Sequence, residues 1–193
     1  MDRSVLAACR VLPVVTAHSV EQTVMLSRAL LAGGMKAVEI TLRTEAALAS
    51  IAAVKAQVPG LLVAAGTVIK PADLHAAVGA GADFCVSPGL TEKLLRAASR
   101  EHVGFVPGVS TASEIMEGMD YGYDCFKLFP AVAVGGIDLL KSLSGPFPNI
   151  QFCPTGGLNL DNFRAFLALP NVVCCGGSWM VSSDLVEAGN WSA

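Results

Sequence analysis

Short apolar runs and longer mixed segments take turns along the chain. Residues 11–16, VLPVVT, read as a strand. Residues 19–34, SVEQTVMLSRALLAGG, space their apolar positions as a helix does, with Ser19 placed to cap it and the glycines to end it. The rhythm continues with AVEITL (37–42) before TEAALASIAAVKAQ (44–57), LLVAAG (61–66) before KPADLHAAVGAG (70–81), and DFCVSP (83–88) before LTEKLLRAASREH (90–102). In the second half VGFVPGVS (103–110) precedes TASEIMEGM (111–119) and DCFKLFPA (124–131) precedes GGIDLLKSLSG (135–145). IQFCPTGG (150–157) then precedes NLDNFRAFLAL (159–169), and VVCCGGSWM (172–180) leads into a short tail. Strands separated throughout by helices run parallel, and eight such units close most economically into a (β/α)8 TIM barrel. The expected architecture is therefore a single α/β domain over 1–193, a barrel with a short N-terminal helix. An open doubly wound sheet also satisfies the pattern. In either fold the strand ends collect at one face, where ligands bind.

Composition narrows the class. Of 193 residues, 53% are hydrophobic and 15% charged, which excludes disorder and demands an extensively buried interior. A net charge of -3 supplies no basic field, so nucleic acid is not an expected partner. No apolar run reaches the roughly 18 residues a bilayer span needs. The opening MDRSVLAACRVLPVV is interrupted by Asp2, Arg3 and Arg10, unlike a secretory signal. A soluble, cytoplasmic protein without a membrane partner is the expectation. Six cysteines lack CxxC spacing and read as reduced, small hydrophobes. His18, His75 and His102 are scattered, and adjacent Cys174 and Cys175 point to opposite faces of a strand, so no metal site is expected.

Side-chain alternation then locates candidate chemistry. In AVEITLR, Val38, Ile40 and Leu42 share one face while Glu39, Thr41 and Arg43 share the other, the inward one. A carboxylate and a guanidinium inside a barrel are costly to desolvate unless paired or functional, and a structural Glu39–Arg43 pair is the plainer alternative. The same alternation turns Lys127 inward with Cys125 and Phe129, whereas the other five lysines precede strands or lie on helices. A side chain snorkelling to the rim is the plainer reading of Lys127. Nucleophilic work needs the neutral amine, and Phe126, Phe129 and Pro130, with Arg43 nearby, are expected to disfavour its charge. Two glycine pairs, in PTGG (154–157) and GGS (176–178), follow the last two strands, where barrels of this kind bind phosphate on backbone N–H groups. Thr67 and Pro88 end strands at the same mouth, the first offering a hydroxyl, the second shaping the wall.

EITLRTE, AAGTV, SPGLTE, PGVST, FKLFPA, CPTGG and GGSW, in that order from about residue 11 to 189, together resemble the 2-keto-3-deoxy-6-phosphogluconate (KDPG) aldolase family. The resemblance implies a cofactor-independent class I aldolase, usually a homotrimer, that also tends to accept 4-hydroxy-2-oxoglutarate. It makes Lys127 the Schiff-base lysine and Glu39 the acid/base. Arg43 and Thr67 would hold the substrate carboxylate, and Phe129 and Pro88 would shape the pyruvate pocket. Thr155, Gly156, Gly157, Gly177 and Ser178 would meet the distal hydroxyls and phosphate. Leu128 stands where the family often has a second Phe, but it faces away from the pocket. The chain ends at EAGNWSA where family members continue for about another helix, so a shortened last packing element is expected. The residues leave three rivals open: the epimeric galactonate substrate, toward which Thr155 does not lean; an isomerase using Glu39 alone with Lys127 as a fixed cation; and a phosphate-binding barrel without catalysis.

Overall fold

The computed structural model describes residues 3–181 together with 186, 189 and 191, so most of the expected shortened last element lies outside the described residues. Helix α1 (Arg3–Cys9) is followed by β1 (Val11–Thr16), α2 (Val20–Ala32), β2 (Ala37–Thr41), α3 (Ala47–Gln57), β3 (Leu62–Gly66), α4 (Pro71–Gly79), β4 (Phe84–Val86) and α5 (Glu92–Glu101). Then come β5 (Gly104–Val106), β6 (Gly108–Val109), α6 (Ala112–Asp120), β7 (Cys125–Leu128), α7 (Gly136–Ser144), β8 (Gln151–Pro154), α8 (Phe163–Leu167) and β9 (Cys175–Gly177). All pairings are parallel. They form a curled sheet in two ladders, β5-β4-β3-β2-β1-β9 and β6-β7-β8.

The fifth expected strand is divided because Pro107 brings no N–H to the ladder. Its carbonyl still serves, accepting from the Lys127 N–H at 2.9 Å. Between the ladders, parallel bridges join Phe152 to Val172 and Thr155 to Gly176. α3 begins three residues later than the pattern suggests because the Thr44 hydroxyl donates to the Ala17 carbonyl and is not available as a cap. α8 is confined to five residues. Ahead of it Asn159 Oδ1 accepts from the N–H groups of Asp161 and Asn162, which holds a turn where a helix was expected. The Ser19 cap is as read, its Oγ accepting from the Gln22 N–H; Thr91 likewise accepts from Leu94, and Thr111 from Glu114 in a capping box.

Strand alternation sorts the core into shells. Outward residues such as Val38, Ile40, Val63 and Cys85 pack with Leu26, Leu30, Ile51, Val54 and Leu74 of the helices. Phe126, Leu128 and Phe152 do the same against Ile115, Leu140 and Phe166. Each fully buried side chain of this size contributes roughly 1.5–3 kcal/mol relative to its exposed state. The inward shell is different in character: Leu12, Ala37, Ala64, Phe84, Val106, Cys125, Cys153 and Cys174 meet inside the curl, with Leu6 and Cys9 of α1 packed beneath them. α1 therefore stoppers one end. The polar residues lie nearer the other.

Candidate active site

Glu39 and Lys127 come from β2 and β7, distant in sequence, and meet inside the curl. Lys127 Nζ lies 3.1 Å from Glu39 Oε1 and 3.5 Å from Oε2. Their side chains are only 6% and 1% exposed, so this is a buried ion pair rather than a surface one. The pair answers the cost of burying each charge. It also answers one alternative and corrects one expectation. Glu39 takes Lys127, not Arg43, as its partner, and the amine is not simply wrapped in rings. The Phe129 ring centroid does lie 5.4 Å from Nζ, but Phe126 packs on the opposite face against the helices and Pro130 is exposed. Arg43 turns instead to Thr67, donating from Nε to Oγ1 at 3.1 Å. A proton leaving Nζ thus has an acceptor at hand.

Thr67 holds φ 59°, the left-handed region, which a β-branched residue enters only under strain of roughly 1–3 kcal/mol. It follows β3 directly, and the strained turn aims its hydroxyl at Arg43. Gly66, just before it, has no Cβ. One placed there would fall 2.6 Å from Glu39 Cγ and 2.8 Å from Cδ. Gly108 serves a similar purpose for Pro88, since a Cβ on Gly108 would strike the Pro88 carbonyl group and the Gly89 nitrogen. Pro88 is half-buried beside β6.

An open cavity of about 220 Å³ lies over the strand ends, lined by Arg43, Phe129, Thr155, Gly156, Gly157, Gly177 and Ser178, with Val14, Thr16 and Leu158. Seven of the sequence-predicted residues therefore share one cavity. Lys127 and Glu39 are set in the core below, and Thr67 reaches the cavity through Arg43. Gly156 and Gly157 hold φ 99° and 81°, conformations that L side chains rarely adopt. Thr155 is buried where Gly176 leaves room for it; a Cβ on Gly176 would meet the Thr155 side chain. Thr16 is a lining residue that the sequence reading passed over, although it stands in phase with Leu12 and Val14 at the end of β1. Its exposed hydroxyl lies 3.4 Å from that of Thr41. A larger cavity of about 500 Å³ adjoins this one, sharing Val14, Thr16 and Ser178, but among the described residues His18 is the one ionisable group in its lining. The smaller cavity has Arg43 and both glycine turns in its lining.

Three inward cysteines add a thiol layer near the pair. Cys153 is the ladder partner of Lys127. A hydrogen bond with Cys174 holds the Cys153 thiol below the usual range against the effect of burial, helped by the Lys127 charge. Cys174 is pushed well above it by that same bond and by burial. Beneath them, burial raises Cys9 to about 11.

Residues 3–193 match the family model described as KDPG and KHG aldolase. The KHG/KDPG aldolase of Escherichia coli strain K12 is 48% identical over 188 residues, 97% of this chain and 88% of that protein. Among solved structures, KDPG aldolase from Legionella pneumophila, with pyruvate captured at low pH as a covalent carbinolamine intermediate, is 45% identical. It superposes with a TM-score of 0.97 over 100% of this chain and 93% of its own. The 2-keto-3-deoxy-6-phosphogluconate aldolase of Zymomonas mobilis ZM4, with 3-phosphoglycerate, is 40% identical with a TM-score of 0.91, covering 94% and 87%.

Proposed function

Since the chain belongs to the KDPG and KHG aldolase family, we propose that it cleaves 2-keto-3-deoxy-6-phosphogluconate to pyruvate and glyceraldehyde 3-phosphate, with Lys127 as Schiff-base lysine and Glu39 as acid/base. The observation that carries the assignment is the buried contact of 3.1 Å between Nζ and Oε1. Glu39 takes a proton from Nζ, and the free amine attacks the C2 carbonyl to give a carbinolamine. Loss of water leaves a protonated imine. Glu39 then removes the C4 hydroxyl proton, directly or through a water, as the C3–C4 bond breaks. Its electrons flow to the imine nitrogen, leaving an enamine and freeing the aldehyde. Protonation at C3 and hydrolysis release pyruvate and restore Lys127. The pyruvate carbinolamine in the Legionella relative supports this course.

Arg43, oriented by Thr67, binds the C1 carboxylate; Phe129 and Pro88 enclose the three-carbon end. Thr155, Gly156, Gly157, Gly177 and Ser178 receive the hydroxyls and phosphate, the glycine backbones turning N–H groups toward the anion. The same site accepts 4-hydroxy-2-oxoglutarate, and Thr155 favours the gluconate over the galactonate epimer. In our reading the two ladders complete an eight-stranded barrel. The run of β5 through Pro107 into β6, and the bridges from β8 toward β9, support that closure. One catalytic domain spans the chain and assembles as a homotrimer, in keeping with the exposed Met116 and Met119 of α6. Its six free thiols suit the reducing cytoplasm.

Borohydride reduction in the presence of pyruvate, followed by peptide mapping, tests the assignment. A stable adduct on Lys127 that vanishes in Lys127→Met is expected, and an unmodified Lys127 in the active wild-type protein defeats it. Retained methyl-proton exchange of pyruvate in Lys127→Met would favour the isomerase reading instead.

A further inference from the structure

We propose that Gly66 is a positioning residue for proton transfer, present to leave the Glu39 carboxylate a berth beside Lys127. Gly66 ends β3, where it is the ladder partner of Thr41 two residues beyond Glu39. Its carbonyl accepts from the Leu42 N–H at 2.8 Å, so the backbone here is tied into the sheet and has little freedom to retreat. Unlike Gly156 and Gly157, it does not hold a positive φ, so an L side chain meets no conformational penalty of that kind at this position. Space is what glycine provides, as expected where a strand must be approached closely. All three nearest atoms to a Cβ built on Gly66 belong to Glu39: Oε1, Cγ at 2.6 Å and Cδ at 2.8 Å.

The consequence is specific to one side chain. A methyl group at 66 has no room unless the Glu39 carboxylate moves, and Glu39 is 1% exposed with its oxygens on Lys127 Nζ. Moving it opens the gap across which a proton passes. Lys127 itself is anchored from another ladder, between Gly108 and Cys153, and stays in place. Gly66→Ala should therefore separate two steps that Lys127→Met abolishes together: the imine still accumulates at equilibrium, since water can take the Nζ proton more slowly, while proton transfer at C3 and C4 fails.

This inference rests on the assignment of Glu39 above, and the test distinguishes the two. Pyruvate adduct formation is measured by borohydride trapping and proton transfer by exchange of the pyruvate methyl protons in deuterated water. In Gly66→Ala the amount trapped at equilibrium should stay within threefold of wild type while the exchange rate falls at least thirtyfold. Exchange at the wild-type rate in this variant overturns the proposal. Glu39→Ala removes all three atoms that a Cβ at 66 would meet. Glu39→Ala/Gly66→Ala should then exchange within threefold of Glu39→Ala alone, a comparison that holds even where the single alanine variant folds poorly. A further loss of tenfold or more in the double variant overturns the positioning role. Unaltered exchange in Glu39→Gln would instead remove Glu39 from catalysis, whatever Gly66 does.

Discussion

Replacing Lys127 with Met would strand a carboxylate in the interior, and the size of the effect follows from the geometry. Glu39 is 1% exposed, and Lys127 is the cation that faces its oxygens. Removing one member of a buried pair typically costs about 3–5 kcal/mol, because the other is left uncompensated. For a chain of 150–250 residues each kcal/mol shifts the midpoint by about 2–4 °C, so Lys127→Met should melt roughly 6–20 °C lower. Glu39→Leu in the same background removes the orphaned charge and keeps a side chain of similar reach in the space that Gly66 leaves. Exchanging a whole buried pair for apolar groups is often neutral or stabilising by about 1–4 kcal/mol, so the double variant should recover most of the loss. Thermal and urea unfolding, followed by circular dichroism, give both numbers. A Lys127→Met midpoint equal to wild type would refute the buried charge pair. A double variant as unstable as the single one would assign the loss to packing instead.

Thr67→Gly should separate binding from stability. Glycine relieves the left-handed backbone at φ 59° but forfeits the acceptor for Arg43 Nε, so stability should change by less than about 1 kcal/mol while KM rises about tenfold or more. A KM unchanged in steady-state kinetics would detach Thr67 from the carboxylate site. Ser50 Oγ, on α3, is buried with no hydrogen-bond partner among the described residues. Ser50→Ala should raise stability by about 1 kcal/mol, and a lower melting midpoint would contradict it. Burial opposes the charge of Glu114, but N–H and hydroxyl donors from Ser110 and Thr111 prevail and hold its carboxyl below the usual range. A depressed folded pKa contributes stability that is complete above the unfolded value of about 4.3 and disappears as pH falls through the folded one. Glu114→Gln should be less stable than wild type at neutral pH, with the gap closing below about pH 4; a gap independent of pH would remove the charge from the account.

What could be read from the chain in advance depended on how local the cause was. β1 over Val11–Thr16 and β2 over Ala37–Thr41 sit where their apolar runs lie, because burial of alternate or successive side chains is written in consecutive residues. Alternation likewise put Glu39 and Lys127 inside. It gave no partner for either, since pairing across β2 and β7 depends on curvature summed over many strands, and the nearer Arg43 stood only as the plainer alternative. Phe126 was misplaced beside the amine for the opposite reason: proximity in sequence outweighed the two-residue period that sends it to the helices. Gly66 looked like an ordinary strand-end glycine and Gly176 like one of a phosphate-binding pair. Their meaning lies in what a neighbouring strand brings against them. The αL conformation of Thr67 left no trace in residue type, for threonine is a poor guide to a conformation it seldom takes.

With α1 plugging the floor of the curl, the cavity over the strand ends is the doorway that the described residues leave. On the proposed assignment Lys127 would hold the three-carbon fragment beneath the cavity and the phosphate-bearing fragment would lie across its opening, so the two products would not depart independently. The aldehyde would clear the passage first, with pyruvate behind it. Glyceraldehyde 3-phosphate added in excess should then trap the enamine and drive the reaction backward, whereas added pyruvate competes only for the emptied chamber.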